Sequence, residues 1–262
     1  MNVGSRIPPT AQRLTPVAPT GRKLPCDSCP GRSIGICTPL DDGRLALLLA
    51  LGGTRRWKKG QTLFAAGDPV DMFYKLTKGI VAIYREFENG QRQIVGVHTV
   101  GDLCGYLQRN GSYSFSAEAI TDVEACAFNR RRFDAFVVQH PDLSSALLTD
   151  ITEKLMQVSE NIAANGKLPA PERLAHFLLQ LARLFEGQKG GKPPLHLHFT
   201  RQQIAENLGL TIETVSRSFT KLKNDNLIAL IGGDTVALLD PTRLAKMADL
   251  QMETWRTGVP DA

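Results

Sequence analysis

Around Arg132 the hydrophobic pattern of this chain changes period, and that change constrains the fold more than any other feature. From Trp57 to about Phe128 the chain consists of short β-prone runs separated by Gly, Asp and Asn. Examples are Gln61-Thr-Leu-Phe64, Phe73-Tyr-Lys-Leu76, Ile80-Val-Ala-Ile-Tyr84 and Gln93-Ile-Val-Gly-Val97. Between two of them, Glu88-Asn-Gly-Gln91 signals a hairpin, because Asn-Gly suits the positive φ angles of a tight primed turn. Many short strands at regular spacing point to a barrel or jelly roll. A short leucine-rich helix, Asp41 to Leu51, precedes them.

Beyond Arg132 a long helix begins, with Pro141 in its first turn and Asn165-Gly166 as its stop. From Pro141 to Asn165 it would be about 36 Å long at ~1.5 Å per residue. Leu147, Leu148, Ile151, Leu155, Val158 and Ile162 recur close to the coiled-coil period. Such a seam serves equally as a pairing face between two chains or as a core stripe against its own domain. Pro169 and Pro171 then mark a joint, followed by an amphipathic helix from Glu172 to Phe185 and a Gly/Lys/Pro loop from Glu186 to Pro194. The loop superficially suggests a phosphate cradle, but its glycine spacing is wrong and it follows a helix.

The chain has 262 residues, 42% hydrophobic and 22% charged, which suits a soluble globular protein of one large or two modest domains. Its longest apolar run, Leu45 to Leu51, is far too short to cross a bilayer. A net charge of +5 permits a polyanionic partner without demanding one. Residues 1–23 contain no acidic residue and no apolar core, so disorder is expected there.

Five cysteines are present. Cys26, Cys29 and Cys37 crowd into one short segment, while Cys104 and Cys126 lie far downstream. Thiols spaced so tightly cannot all pair as disulfides without strain, but they can converge on one metal centre. With no signal peptide ahead of them, a reducing cytoplasmic setting is expected. An iron–sulfur site, a zinc-binding loop and thiols without a ligand all remain open on spacing alone.

Thr200-Arg-Gln-Gln203 forms a capping box for a short helix through Ile204, Ala205 and Leu208. Gly209 allows a sharp turn, and Thr211 caps a second helix through Lys223, so the pair reads as a helix-turn-helix. In the second helix Val215, Phe219 and Leu222 face inward. Glu213, Ser216, Arg217 and Thr220 share the other face, a poor core but a suitable base-reading surface. Lys221 and Lys223 are placed to hold phosphates. Leu227 to Leu239, broken by Gly232-Gly-Asp234, looks like a β-hairpin wing.

From Cys26 onward the chain resembles the CRP/FNR superfamily of bacterial transcription regulators. The resemblance is carried by Lys59-Gly-Gln-Thr-Leu-Phe-Ala-Ala-Gly-Asp68, by Gly101-Asp-Leu103 and, most specifically, by Ile204-Ala-Glu-Asn-Leu-Gly-Leu-Thr-Ile-Glu-Thr-Val-Ser-Arg217. It implies an α+β architecture: a β-roll (jelly-roll) sensor domain over residues 41–138, a dimerisation helix over 139–166 and a winged helix-turn-helix domain over 167–250. A cysteine loop (24–40) and two tails (1–23, 251–262) complete the chain.

Within the superfamily the resemblance is to the FNR branch, and it implies one 4Fe-4S cluster per subunit on Cys26, Cys29, Cys37 and Cys126, which senses oxygen. Cys104 matches no ligand position and is expected to be a buried small hydrophobe. Basic Arg22, Lys23 and Arg32 are expected to moderate the cluster's charge, and Ile34 and Ile36 to shield it. Tyr113-Ser-Phe-Ser-Ala117 lacks the arginine with which cyclic-nucleotide-binding members hold phosphate, so cyclic AMP control is not expected.

Val158 stands where the oxygen-sensitive enteric pattern has an aspartate, and should make the pair of helices stickier. The resemblance further implies a homodimer on a TTGAT…ATCAA-like palindromic DNA operator, working with RNA polymerase. A regulator with a zinc-bound or cluster-free sensor is the alternative. An iron–sulfur redox enzyme is a remote one, since there is no Rossmann fingerprint, hydrolase elbow or His-rich motif.

Overall fold

Strand alternation in the first half of the chain produces a sheet with two different buried faces, and this places the cysteines. The computed structural model describes residues 15–16, 25–106, 111–186 and 194–250. Its first elements are β1 (Thr15–Pro16), α1 (Asp42–Ala50), β2 (Gly52–Trp57), β3 (Thr62–Phe64), β4 (Met72–Lys78), β5 (Val81–Glu86), β6 (Arg92–His98), β7 (Leu103–Cys104), β8 (Ser116–Ala119) and β9 (Val123–Asn129). They form two antiparallel sheets, ordered β1-β2-β9-β4-β7 and β3-β8-β5-β6.

In β9 the residues Val123, Ala125 and Ala127 join Leu63, Phe64, Tyr74 and Leu76 between the sheets. Phe128, with Cys126 beside it, faces the opposite way, into a cluster with Phe73, Phe133, Leu45 and Leu48. The two-residue period of a strand dictates this division. Cys104 is fully buried on the inter-sheet side.

Residues 1–23 were expected to be disordered throughout. Thr15 and Pro16 instead pair with Thr54 and Gly53 at the sheet edge, where a proline's missing N–H removes no ladder bond. The rest of that tail, the glycine-rich loop beyond Glu186 and residues 251–262 lie outside the described residues.

Helix α2 (Arg130–Val138) leads into α3 (Pro141–Lys167). Asn165-Gly166 does not end α3. The helix stops at Leu168, whose ψ of 142° is extended, as expected of a residue preceding proline. Leu147 also departs from the expected outward seam: it is buried with Leu143 against the chain's own core. Leu148, Leu155, Val158 and Ile162 are exposed, as is Met156, which heptad counting passed over.

The remaining elements are α4 (Ala170–Glu186), β10 (Leu195–His196), α5 (Arg201–Leu208), α6 (Ile212–Asn224), β11 (Ile228–Ile231), β12 (Thr235–Leu238) and α7 (Pro241–Met247). Helices α4 to α7 enclose a core of Leu174, Phe177, Leu178, Ile204, Phe219 and Leu244, flanked by the sheet β10-β12-β11. That core is continuous with Ile80, Ala82, Ile94 and Ile120 of the first half. Gln93 of β6 donates to the Asn207 carbonyl at 3.2 Å across this junction.

Burial holds the His98 imidazole at a pKa of about 4 rather than 6.5, with Asp102 opposing that shift and Lys154 reinforcing it. Between those values the unfolded chain binds a proton that the native ring refuses. Stability is therefore fully present above 6.5 and falls as pH drops toward 4. A urea midpoint series should decline across that window, and His98→Gln should flatten the decline. A variant with the parent slope would remove His98 as its source.

Candidate cysteine centre and nucleic-acid interface

The cysteine loop is a succession of tight turns. One 3-10 turn spans Pro25–Ser28 and another Gly35–Cys37. The Cys29 N–H donates to the Cys26 carbonyl at 3.1 Å and the Arg32 N–H to the Cys29 carbonyl at 3.0 Å. Arg32 braces the loop further by donating to the carbonyls of Cys37 and Leu40, both at 2.6 Å. Cys26 and Cys37 are buried and Cys29 half-buried.

These turns lay the loop over the outer face of the sheet, where Cys126 lies between Thr54 of β2 and Lys75 of β4 in register. The four sulfurs sense one another. Burial, then Cys37, Cys26 and Cys29, push the Cys126 thiol up to about 12. Burial, then Cys37 and Cys29, push Cys26 up to about 11. Cys37 is raised by burial, against the pull of Lys75. Burial thus favours the neutral thiol at Cys26, Cys37 and Cys126, and a metal entering there must displace protons.

A soft, all-sulfur donor set of this kind fits an iron–sulfur group by its chemistry. Among the described residues no three His, Cys, Asp or Glu side chains are arranged to hold a single metal ion.

Of the expected outer groups, Arg32 is in place, Arg22 and Lys23 lie outside the described residues, and Ile36 is fully buried. Ile34 is 42% exposed and shields little. It instead packs on Gly101, where an added Cβ would come within 2.5 Å of its Cγ2. That close approach, with a φ of +97°, is why position 101 requires glycine.

Lys75 was missed by sequence reasoning, since a lysine in a strand reads as solvent-facing. It is 2% exposed, and its Nζ donates to the carbonyls of Gly31 and Ile34 at 2.8 and 2.9 Å. The Gly35–Cys37 turn packs directly on α3. Beside it, Lys154 of α3 pairs with Asp102 at 2.7 Å. The cysteine loop therefore touches the long helix both directly and through the Gly101–Leu103 segment.

At the other end of the molecule, Thr200 and Gln203 form a reciprocal capping box at α5, and Gly209 takes the left-handed conformation with φ 63°. Thr211 caps α6 by accepting from the Thr214 N–H at 3.2 Å. Val215, Ser218, Phe219 and Leu222 point inward, while Glu213, Ser216, Arg217, Thr220 and Lys223 are exposed. Backbone hydrogen bonding at the helix start, then Thr211 and Arg217, hold Glu213 below the usual carboxylate range. Lys221 is exposed but pairs with Asp225 at 3.1 Å, a weak surface pair that a phosphate can displace. The β11–β12 hairpin follows, its strands pairing Ile228 with Leu238 through Ile231 with Thr235.

Residues 54–140 match the family model for the cyclic nucleotide-binding domain, and residues 172–247 match that for the Crp-like helix-turn-helix domain. The chain is 35% identical over 223 residues to the nitrogen fixation regulation protein FixK of Bradyrhizobium diazoefficiens, covering 85% of this chain and 93% of the relative. It is 32% identical over 227 residues to the transcriptional activator protein FnrL of Cereibacter sphaeroides, covering 85% and 91%. The solved structure of FixK2 from Bradyrhizobium japonicum matches with a TM-score of 0.67 at 25% identity, over 74% of this chain and 96% of that one.

Proposed function

Because the chain belongs to the CRP/FNR superfamily of DNA-binding transcription regulators and is homologous to its FNR, FixK and Anr members, we propose that it is an oxygen-responsive member whose four thiols hold a 4Fe-4S cluster. One observation carries this reading: Cys26 and Cys37 pack in one cluster with Cys126 on the outer sheet face, and Cys29 lies between the first two on the same loop. The matched relatives are named as regulators and activators, and the chain is a regulator rather than an enzyme. No helix of the described residues is long and apolar enough to cross a membrane.

When bound, the cluster supplies an anionic, oxygen-reactive centre; the protein's own residues turn its presence into DNA affinity. With the thiols gathered, the Gly35–Cys37 turn is held against α3 and Asp102 keeps its pair with Lys154. Steadied in this way, α3 presents Leu148, Leu155, Val158 and Ile162 to a second copy. The two α6 helices of such a homodimer stand about one DNA turn apart, ~34 Å, on a palindrome. Arg217 reads guanine, Glu213 its cytosine partner, and Ser216 helps select the outer thymine, with Thr220, Lys221 and Lys223 bordering the phosphates. Releasing the thiols frees the turn, loosens α3 and lowers operator occupancy. The bound dimer then recruits or blocks RNA polymerase in the cytoplasm.

Cyclic nucleotide is not the signal in this reading. The Tyr113–Ala117 stretch carries no arginine, and Phe64, Tyr74 and Tyr113 stack in the space between the sheets. A cavity of about 310 Å³ between β6, α3 and α4, lined by Val97, Ile151, Phe177 and Leu181, favours the alternative of a small-molecule effector.

Purification without air, followed by iron and sulfide analysis and operator binding before and after exposure, tests the proposal. Iron and sulfide should be present and should be lost together with DNA affinity. Zinc in their place would establish the alternative sensor. Metal-free protein fully competent to occupy its operator would overturn the reading.

A further inference from the structure

Lys75 is a buried cation whose anion is not accounted for by carboxylates. Its two carbonyl partners are neutral. Asp150 senses its charge, yet none of the described carboxylates forms an ion pair with it. Desolvating an ammonium is costly unless an opposite charge compensates it. The groups at hand are sulfurs: Lys75 is opposite Cys126 in register, and its charge acts on Cys37. The carbonyls it grips belong to Gly31 and Ile34, between Cys29 and Cys37. Gly31 is also tightly fitted, since a Cβ there would lie 3.3 Å from the Lys75 Nζ.

We propose that Lys75 is a positioning residue: its ammonium tethers the cysteine loop to β4 and sets a fixed positive charge beside the four cysteines. The tether acts in the empty protein as well as the loaded one. Its electrostatic half rests on the cluster reading given above. There a nearby cation stabilises the reduced, more negative cluster and so raises its potential, as charge and hydrogen bonding around the sulfurs do generally.

The test compares Lys75→Met, which keeps length and removes charge, with Lys75→Arg, which keeps charge and donors. Both are made in the full chain, iron-stripped and iron-loaded. In iron-stripped protein, amide hydrogen exchange over residues 26–37 should accelerate by about tenfold or more in Lys75→Met, as expected for losing two hydrogen bonds from a charged donor. Lys75→Arg should restore most of the protection. In loaded protein the cluster's midpoint potential should move negative in Lys75→Met and stay near the parent value in Lys75→Arg.

Unchanged exchange and potential in Lys75→Met would overturn the assignment. So would an arginine variant that behaves like methionine, which would reduce Lys75 to space filling. Should Lys75→Met fail to fold, amine acylation of the native parent decides: Lys75 should label last among the lysines, and labelling at surface rates would refute the tether. Parent protein devoid of iron and sulfide would sink the cluster reading alone, leaving the exchange comparison to decide the tether.

Discussion

Cys126→Ala is expected to abolish anaerobic reporter activation and reduce bound iron and sulfide to background. Three of the proposed ligands lie on one loop, so Cys126 is the only one that ties the loop to the sheet. It lies in the central strand of a five-stranded sheet, between β2 and β4, and cannot move to accommodate a replacement. Losing an outer partner of a metal ligand typically costs about 10–100-fold in affinity, so removing the ligand itself should cost more than ~100-fold.

The fold should survive, because alanine is compatible with this strand, in which Ala125 and Ala127 already flank Cys126. Cys104→Ala is the matched control. That thiol is fully buried but on the inter-sheet side, with Leu76 and Ala125, so its removal should leave iron content unchanged. Full anaerobic activity in Cys126→Ala would take this residue out of the ligand set.

The family resemblance separated Cys126 from Cys104 in the sequence, and the strand period of β9 accounts for where Cys126 faces. In Val123-Glu-Ala-Cys-Ala-Phe128 the cysteine and phenylalanine share a face, while Val123, Ala125 and Ala127 share the other. The helix-turn-helix was equally legible, because capping boxes, a left-handed glycine and an inward stripe are local signals. Lys75 was not legible. Its environment depends on a loop more than forty residues earlier returning across the strand, as the 44-residue separation from Gly31 shows, and no local pattern encodes such a return. Leu147 was misplaced for a related reason: helical spacing shows which residues share a stripe, but not where along α3 the chain's own core ends and the free face begins. The Asp102–Lys154 pair is likewise a product of tertiary packing between segments that carry no shared signature.

Arg217→Ala should produce the second large effect, on sequence preference rather than on metal content. The side chain is exposed on α6, opposite the buried Val215, Phe219 and Leu222, so its loss leaves no cavity and the helix should remain folded. A guanidinium fork to guanine O6 and N7 is worth ~1–3 kcal/mol of discrimination, or roughly 5–150-fold between the palindrome and a duplex with that guanine replaced. Arg217→Ala should erase most of this ratio, and Arg217→Lys should recover only part, because lysine keeps the charge without the planar fork. Lys223→Ala is the informative comparison: as a phosphate contact it should weaken all duplexes alike and lower the salt dependence by about one counterion. Fluorescence anisotropy at fixed salt separates the two behaviours. If Arg217→Ala lost affinity uniformly while retaining the parent preference for guanine, base reading would have to be reassigned to another residue of the exposed α6 face.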